Sequence, residues 1–215
     1  MNNQEIETVL TILQNEKKKW QDETLNTLEK TPFRVLIGGI LSHRTKDTIT
    51  KKVMERMFRV VQKPEDFLAI PEERLAELIY PVGFYRRKAQ ILRQLAQVLL
   101  SEYQGKVPNQ LEALLNLPGV GRKTANLVLA LAFQKPAICV DVHVHRIVNR
   151  WGYVYTKTPE ETERALREKL PVVHWIPLNH LLVVFGQNVC LPRRPRCSVC
   201  PVEKMCPKIG VPFSK

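Results

Sequence analysis

Residues 109–133, NQLEALLNLPGVGRKTANLVLALAF, constrain the fold more than any other stretch of the chain. Two segments with apolar residues at helical spacing are parted by a tight L-P-G-V-G turn, which predicts a helical hairpin. Gly119 and Gly121 are expected to take backbone conformations closed to other residues. They also bare amide N–H groups, around Val120, at the start of the second helix. That arrangement binds phosphate; with no ligand it is a glycine-punctuated corner between helices. Arg122 and Lys123 follow at once, so two cations load a helix end that already carries partial positive charge.

The same helical spacing runs through the rest of the chain. Ile6, Val9, Leu10 and Leu13 form one stripe. FRVLIGGILS is nearly all apolar and reads as a buried helix or a strand. DTITKKVMERMFRVV, PEERLAELIYPV, RRKAQILRQLAQVLLSEYQ and IPLNHLLVVFGQNVC read as helices, with Pro and Gly at nearly every junction. TPEE at 158–161 has the order N-cap, proline, two acids. AICVDVHV is the best strand candidate, and it is short. The whole predicts an all-α protein of about ten helices.

Lys and Arg number 33 against 21 Asp and Glu, a net charge of +12. With a pI near 9.7, this excess points to a polyanionic partner such as nucleic acid, or else to a basic solvated surface. No strongly basic amphipathic anchor for a membrane surface stands out. The longest apolar run, LVLALAF, is too short to span a bilayer, and the first residues lack the pattern of a signal peptide. A soluble, intracellular, cytoplasmic protein with no membrane partner is expected.

Cys190, Cys197, Cys200 and Cys206 are spaced C-x6-C-x2-C-x5-C. Four soft thiolates so close together make a metal site, since cytosolic thiols stay reduced and a pair of disulfides belongs to exported proteins. Zinc usually takes two close pairs, and only one C-x2-C is present. Pro201 and Pro207 each follow a cysteine, as in ferredoxin-like loops, so the spacing favours an iron–sulfur cluster over zinc. Arg193, Arg194 and Arg196 lie between the first two cysteines, on a loop the metal would tie down. They read as phosphate contacts or as a solvated turn. Cys139, in the apolar AICV, reads as a buried structural thiol.

LPGVGRKTAN, VDVHVHRIVNR at 140–150, the four-cysteine spacing, LSHRTKD at 41–47 and GFYRRKA at 83–89 together resemble the endonuclease III family of helix–hairpin–helix DNA glycosylases. The resemblance covers nearly the whole chain. It implies two α domains with a DNA cleft between them: a six-helix barrel over residues 24–135, and an iron–sulfur domain of residues 1–23 with 136–215. It implies one 4Fe–4S cluster on the four cysteines. It also implies a monomer acting on double-stranded DNA that carries a damaged base or an abasic site.

A lysine is a nucleophile only when neutral, and the helix start and the adjacent Arg122 both favour the neutral amine. Lys123 is therefore read as nucleophile, phosphate contact or solvated cation, and the resemblance makes it the nucleophile. Asp141 ends an apolar segment, as a cap or as a functional acid. The resemblance assigns it the second role, stabilising charge on the sugar and taking a proton from Lys123. The expected activity is a bifunctional glycosylase and β-elimination lyase of base excision repair, removing oxidised pyrimidines. The target base must leave the stack. The resemblance makes Phe84 the wedge, while Arg44 or His43 stands where the family usually has a gap-filling glutamine. Ser42 and Asp47 are read as caps, and His143 and His145 as polar packing. Two other readings stay open. An adenine- or thymine-mismatch glycosylase of the same fold usually carries Ser or Tyr in place of Lys123, and the adenine type an added C-terminal domain. A non-catalytic DNA-binding module would leave Lys123 and Asp141 as coincidence.

Overall fold

The computed structural model describes residues 1–22, 24 and 30–211. Among them the chain is all-α, with eleven α-helices, short 3-10 segments and no strand. In chain order the helices are α1 (Asn3–Glu16), α2 (Pro32–Ser42), α3 (Asp47–Met57), α4 (Pro64–Ala69), α5 (Glu72–Ile79), α6 (Tyr85–Tyr103), α7 (Leu111–Leu115), α8 (Arg122–Phe133), α9 (Val142–Arg150), α10 (Pro159–Lys169) and α11 (Trp175–Asn188). They fall into two compact units, Met1–Asp22 with Pro136–Lys215, and Glu23–Lys135.

The first unit is built from both ends of the chain. Asn2 starts α1 with a reciprocal capping box: Glu5 N donates to Asn2 Oδ1 at 2.9 Å, and Asn2 N donates to Glu5 Oε2 at 2.7 Å. The stripe Ile6, Val9, Leu10 and Leu13 is buried against Val144, Ile147 and Val148 of α9, Leu166 of α10, and Leu178, Leu181 and Phe185 of α11. Each such side chain contributes about 1.5–3 kcal/mol of burial. Thr158 caps α10 as its sequence indicates, accepting from Glu161 N at 3.2 Å with Pro159 at the first helical position.

AICVDVHV, the strand candidate, is not a strand. Asp141 caps α9, so Val142 opens a helix, and Val144, Ile147 and Val148 are buried at helical spacing while Val142 is exposed. The valine alternation is local, and the cap decides against it.

In the second unit FRVLIGGILS settles as helix α2, capped by Thr31 with Pro32 at its start. It packs on α8, while α4 and α5 pack on α6. A Cβ on Gly39 would lie 2.7 Å from Thr124 Cγ2, so the lack of a side chain sets how near α2 comes to α8. Arginines close two helix ends where carbonyls would otherwise lack partners. Arg93 donates to Phe67 O at 3.0 Å, to Leu68 O at 3.3 Å and to Ile70 O past the end of α4. Arg56 Nε donates to Leu78 O at 3.0 Å at the end of α5.

Candidate nucleic-acid interface and cysteine loop

The hairpin turn is held from inside. Val120 N donates to Leu117 O at 3.2 Å, and its side chain is only 8 % exposed. Val120 thus plugs the turn, and its N–H is engaged within it. Gly119 has φ +75°, and a Cβ there would stand 2.4 Å from Ile91 Cγ2. Gly121 differs from expectation: its φ of −101° is open to any residue, and nothing lies within 4 Å of a Cβ built on it. Its missing side chain keeps space open before α8. The N–H groups of Gly119 and Gly121 make no hydrogen bond among the described residues. Arg122 is half-buried, Lys123 is exposed, and the first turn of α8 holds no acid.

Two further loops of the same unit close around a cavity with the hairpin. His43, Arg44, Phe84, Arg87, Lys88, Ile91 and Gly119 line about 770 Å³ of empty space, mouth included. Arg44 and Phe84 both take left-handed backbone, with φ of 53° and 57°. The Arg44 guanidinium lies over the Phe84 ring, 5.6 Å from its centroid, and Phe84 is 60 % exposed at the start of α6. Partial burial, and then the nearby charges of Lys88, Arg44 and Lys123, hold the His43 pKa below its ordinary value. His43, Arg44, Phe84 and Gly119 thus share one cavity. Ser42 donates to Gly39 O at 3.0 Å, while Asp47 is the first residue of α3, whose cap position is Lys46.

Arg87, Lys88 and Ile91 were not singled out from the sequence. Lys88 carried a signal: it sits on the buried stripe with Leu92, Leu95 and Leu99. It is 5 % exposed, and its Nζ donates to Leu41 O at 2.8 Å, His43 O at 2.6 Å and Thr45 Oγ1 at 3.4 Å. Burial pushes its pKa down to about 8. The acceptors at the negative end of α2 act in the other direction, favouring the charged form.

In the other unit Asp141 is the N-cap of α9. Its Oδ1 accepts from both His143 N and Val144 N at 2.9 Å, and its Oδ2 has no hydrogen bond among the described residues. His143 and His145 pack through polar contacts: Arg146 Nη2 reaches His143 Nδ1 at 3.2 Å, and His145 Nδ1 meets Thr162 Oγ1 at 2.7 Å. Cys139 is buried and forms no disulfide.

Cys190, Cys197, Cys200 and Cys206 are unpaired and line one cavity with about 350 Å³ of empty space, mouth included. Among the described residues no three His, Cys, Asp or Glu side chains are drawn together tightly enough to hold one metal ion. The thiols stand around the cavity. Burial pushes the Cys200 thiol up to about 11, helped by the other three cysteines, and burial raises Cys206 as well. Two sulfurs already accept protein N–H groups: Arg150 Nη1 lies 3.2 Å from Cys190 Sγ, and Lys208 N lies 3.4 Å from Cys206 Sγ. Arg150 also donates to Leu191 O at 2.7 Å and Pro192 O at 2.6 Å, which anchors the loop. On that loop Arg193, Arg194 and Arg196 are all exposed, and their guanidiniums have no hydrogen bond or ion pair among the described residues.

The HhH-GPD superfamily of base excision DNA repair proteins matches residues 37–172. Endonuclease III of Thermotoga maritima is 48% identical over 181 residues, covering 84% of this chain and 85% of that protein. Endonuclease III in a non-covalent complex with DNA shares the fold with a TM-score of 0.88 at 34% identity, covering 97% of this chain and 96% of that one. A thermostable thymine-DNA glycosylase matches with a TM-score of 0.86 at 28% identity, covering 96% of this chain and 97% of that one. On family match, sequence identity and fold together, the chain belongs to the endonuclease III family of the HhH-GPD base excision DNA repair proteins, a family of DNA glycosylases and abasic-site lyases.

Proposed function

We propose that the protein, as a monomer on double-stranded DNA, excises oxidised pyrimidines and then cuts the abasic strand by β-elimination. The observation that carries this reading is Lys123, an exposed amine in the first turn of α8, directly behind a turn with two unbonded N–H groups. The neutral Lys123 amine attacks the anomeric carbon of the flipped nucleotide, and the bond to the base breaks with its electron pair leaving on the base. Asp141 takes the amine's proton on Oδ2, the oxygen that capping leaves over, and its charge offsets the cationic sugar. The sugar ring opens to a Schiff base with Lys123. Loss of a C2′ proton then expels the 3′ phosphate, and water releases the lysine.

Binding divides by chemistry. Gly119, Gly121 and Arg122 offer backbone donors and charge to one phosphate run, and Arg193, Arg194 and Arg196 to another. Phe84 wedges the stack, and Arg44, with His43 beside it, fills the gap left by the flipped base. The four cysteines hold a 4Fe–4S cluster. Soft thiols set around a shared cavity, with N–H donors on two sulfurs, suit such a group. When bound, it supplies a cross-link that stiffens the arginine-bearing loop. Purified protein is then yellow-brown with stoichiometric iron; a colourless protein holding one zinc contradicts the assignment.

Borohydride reduction of protein mixed with an abasic-site duplex tests the lyase. Wild type gives a covalent adduct, and a Lys123→Ala variant that traps equally well sinks the reading. The likeness to a thymine-DNA glycosylase supports a second reading, action on a mismatched thymine. An excision panel of oxidised pyrimidines and mismatches separates the two: oxidised pyrimidines released without mismatch activity support the first.

A further inference from the structure

Lys88 sits at the junction of two loops that the proposed function uses separately. Its ammonium donates to Leu41 O at 2.8 Å and His43 O at 2.6 Å, so it closes the C-terminal end of α2 from a helix 47 residues further along. It also reaches Thr45 Oγ1 at 3.4 Å, and the same hydroxyl accepts from Gly83 N at 3.1 Å. Gly83 presses on the loop directly, since a Cβ there would lie 2.6 Å from Arg44 O. Residues 41–45 and 83–88 are thereby tied by one buried cation and one shared hydroxyl. Arg44 and Phe84 project from this joint, both from left-handed backbone, with the guanidinium over the ring. Left-handed backbone at non-glycine residues persists only where neighbours hold it, and the Lys88–Thr45–Gly83 contacts are such neighbours.

We propose that Lys88 is a positioning residue for DNA distortion: it braces the 41–45 loop to the start of α6 so that Arg44 and Phe84 enter the duplex as one rigid pair. This rests on the reading of Arg44 as gap filler and Phe84 as wedge. Lys88 has 5 % exposure, so it acts through the two loops and not by its own contact with DNA. Its effect therefore falls on lesion-selective binding, where the pair must insert. Binding to undamaged duplex, which depends on phosphate charge, is unaffected.

The test compares wild type, Lys88→Met and Thr45→Val on two duplexes, one undamaged and one with an uncleavable abasic analogue opposite 2-aminopurine. Melting curves accompany each protein. Wild type binds the abasic duplex more tightly and raises the 2-aminopurine fluorescence as that base is unstacked. Both variants lose at least about tenfold of the selective affinity, the scale of one charged hydrogen bond. They also lose most of the fluorescence rise, while undamaged-duplex affinity stays within about twofold. If Lys88→Met does not fold, Thr45→Val, which buries no new charge and keeps the loop's volume, decides alone. Folded variants that match wild type in selectivity and fluorescence overturn the brace, as do variants that lose both affinities in parallel. A wild type with no preference for the abasic duplex removes the proposed function itself, a separate outcome.

Discussion

In the proposed mechanism Asp141 divides its two oxygens between structure and chemistry. Oδ1 accepts both amides that open α9, and Oδ2 has no hydrogen bond among the described residues. Asparagine caps a helix about as well as aspartate, whereas alanine costs about 0.5–2 kcal/mol. Asp141→Asn therefore keeps its melting temperature and loses roughly 10²–10⁴ in excision rate, the usual worth of a positioned acid or base. Asp141→Ala loses both. Single-turnover excision beside thermal melting checks this, and an Asp141→Asn variant with wild-type excision would leave the residue as a cap alone. The sequence offered cap and acid as alternatives, and the geometry leaves room for both because capping occupies only Oδ1.

At the scale of elements, the hairpin's two glycines are not equivalent. Gly119 needs its left-handed φ of +75° and would drive a Cβ to 2.4 Å from Ile91 Cγ2, whereas Gly121 has ordinary φ and open space. Gly119→Ala is expected to lose more than about 1 kcal/mol of stability, and Gly121→Ala to stay within about 0.5 kcal/mol while weakening DNA binding. Denaturant melts and filter binding separate the effects, and equal destabilisation of the two variants would contradict the account. Most helices were legible because their apolar residues recur every three or four positions and prolines or caps mark their starts. AICVDVHV misled because its valines alternate over a few residues, a signal that one N-cap overrides. Gly121 misled because spacing shows that a glycine is present but not which torsion it takes. Lys88 sits on the buried stripe of α6, a legible signal, but its role stayed hidden for a different reason. A lysine reads as solvated unless its acceptors are known, and those acceptors come from a loop 47 residues away that no local pattern connects to it.

For the whole molecule, charge is the main property that sequence alone supplies. A net charge of +12 makes binding to any duplex strongly salt-dependent, through release of counterions from phosphates. Arg193, Arg194 and Arg196 are uncommitted within the described protein, so replacing all three with Gln is expected to lower the slope of log K against log salt. The drop is up to about 0.9 for each phosphate the protein no longer neutralises. A slope equal to wild type would leave them as a solvated turn. The thermodynamic effect should be similar on damaged and undamaged duplex, because phosphate contacts carry no sequence information. The proposed chemistry depends on one amine at the head of α8. The most direct test reduces the enzyme–abasic DNA mixture with borohydride, digests the adduct and maps it by mass spectrometry. The account predicts a sugar remnant on Lys123 alone. An adduct on another lysine or on the N-terminal amine, with Lys123 unmodified, would contradict it.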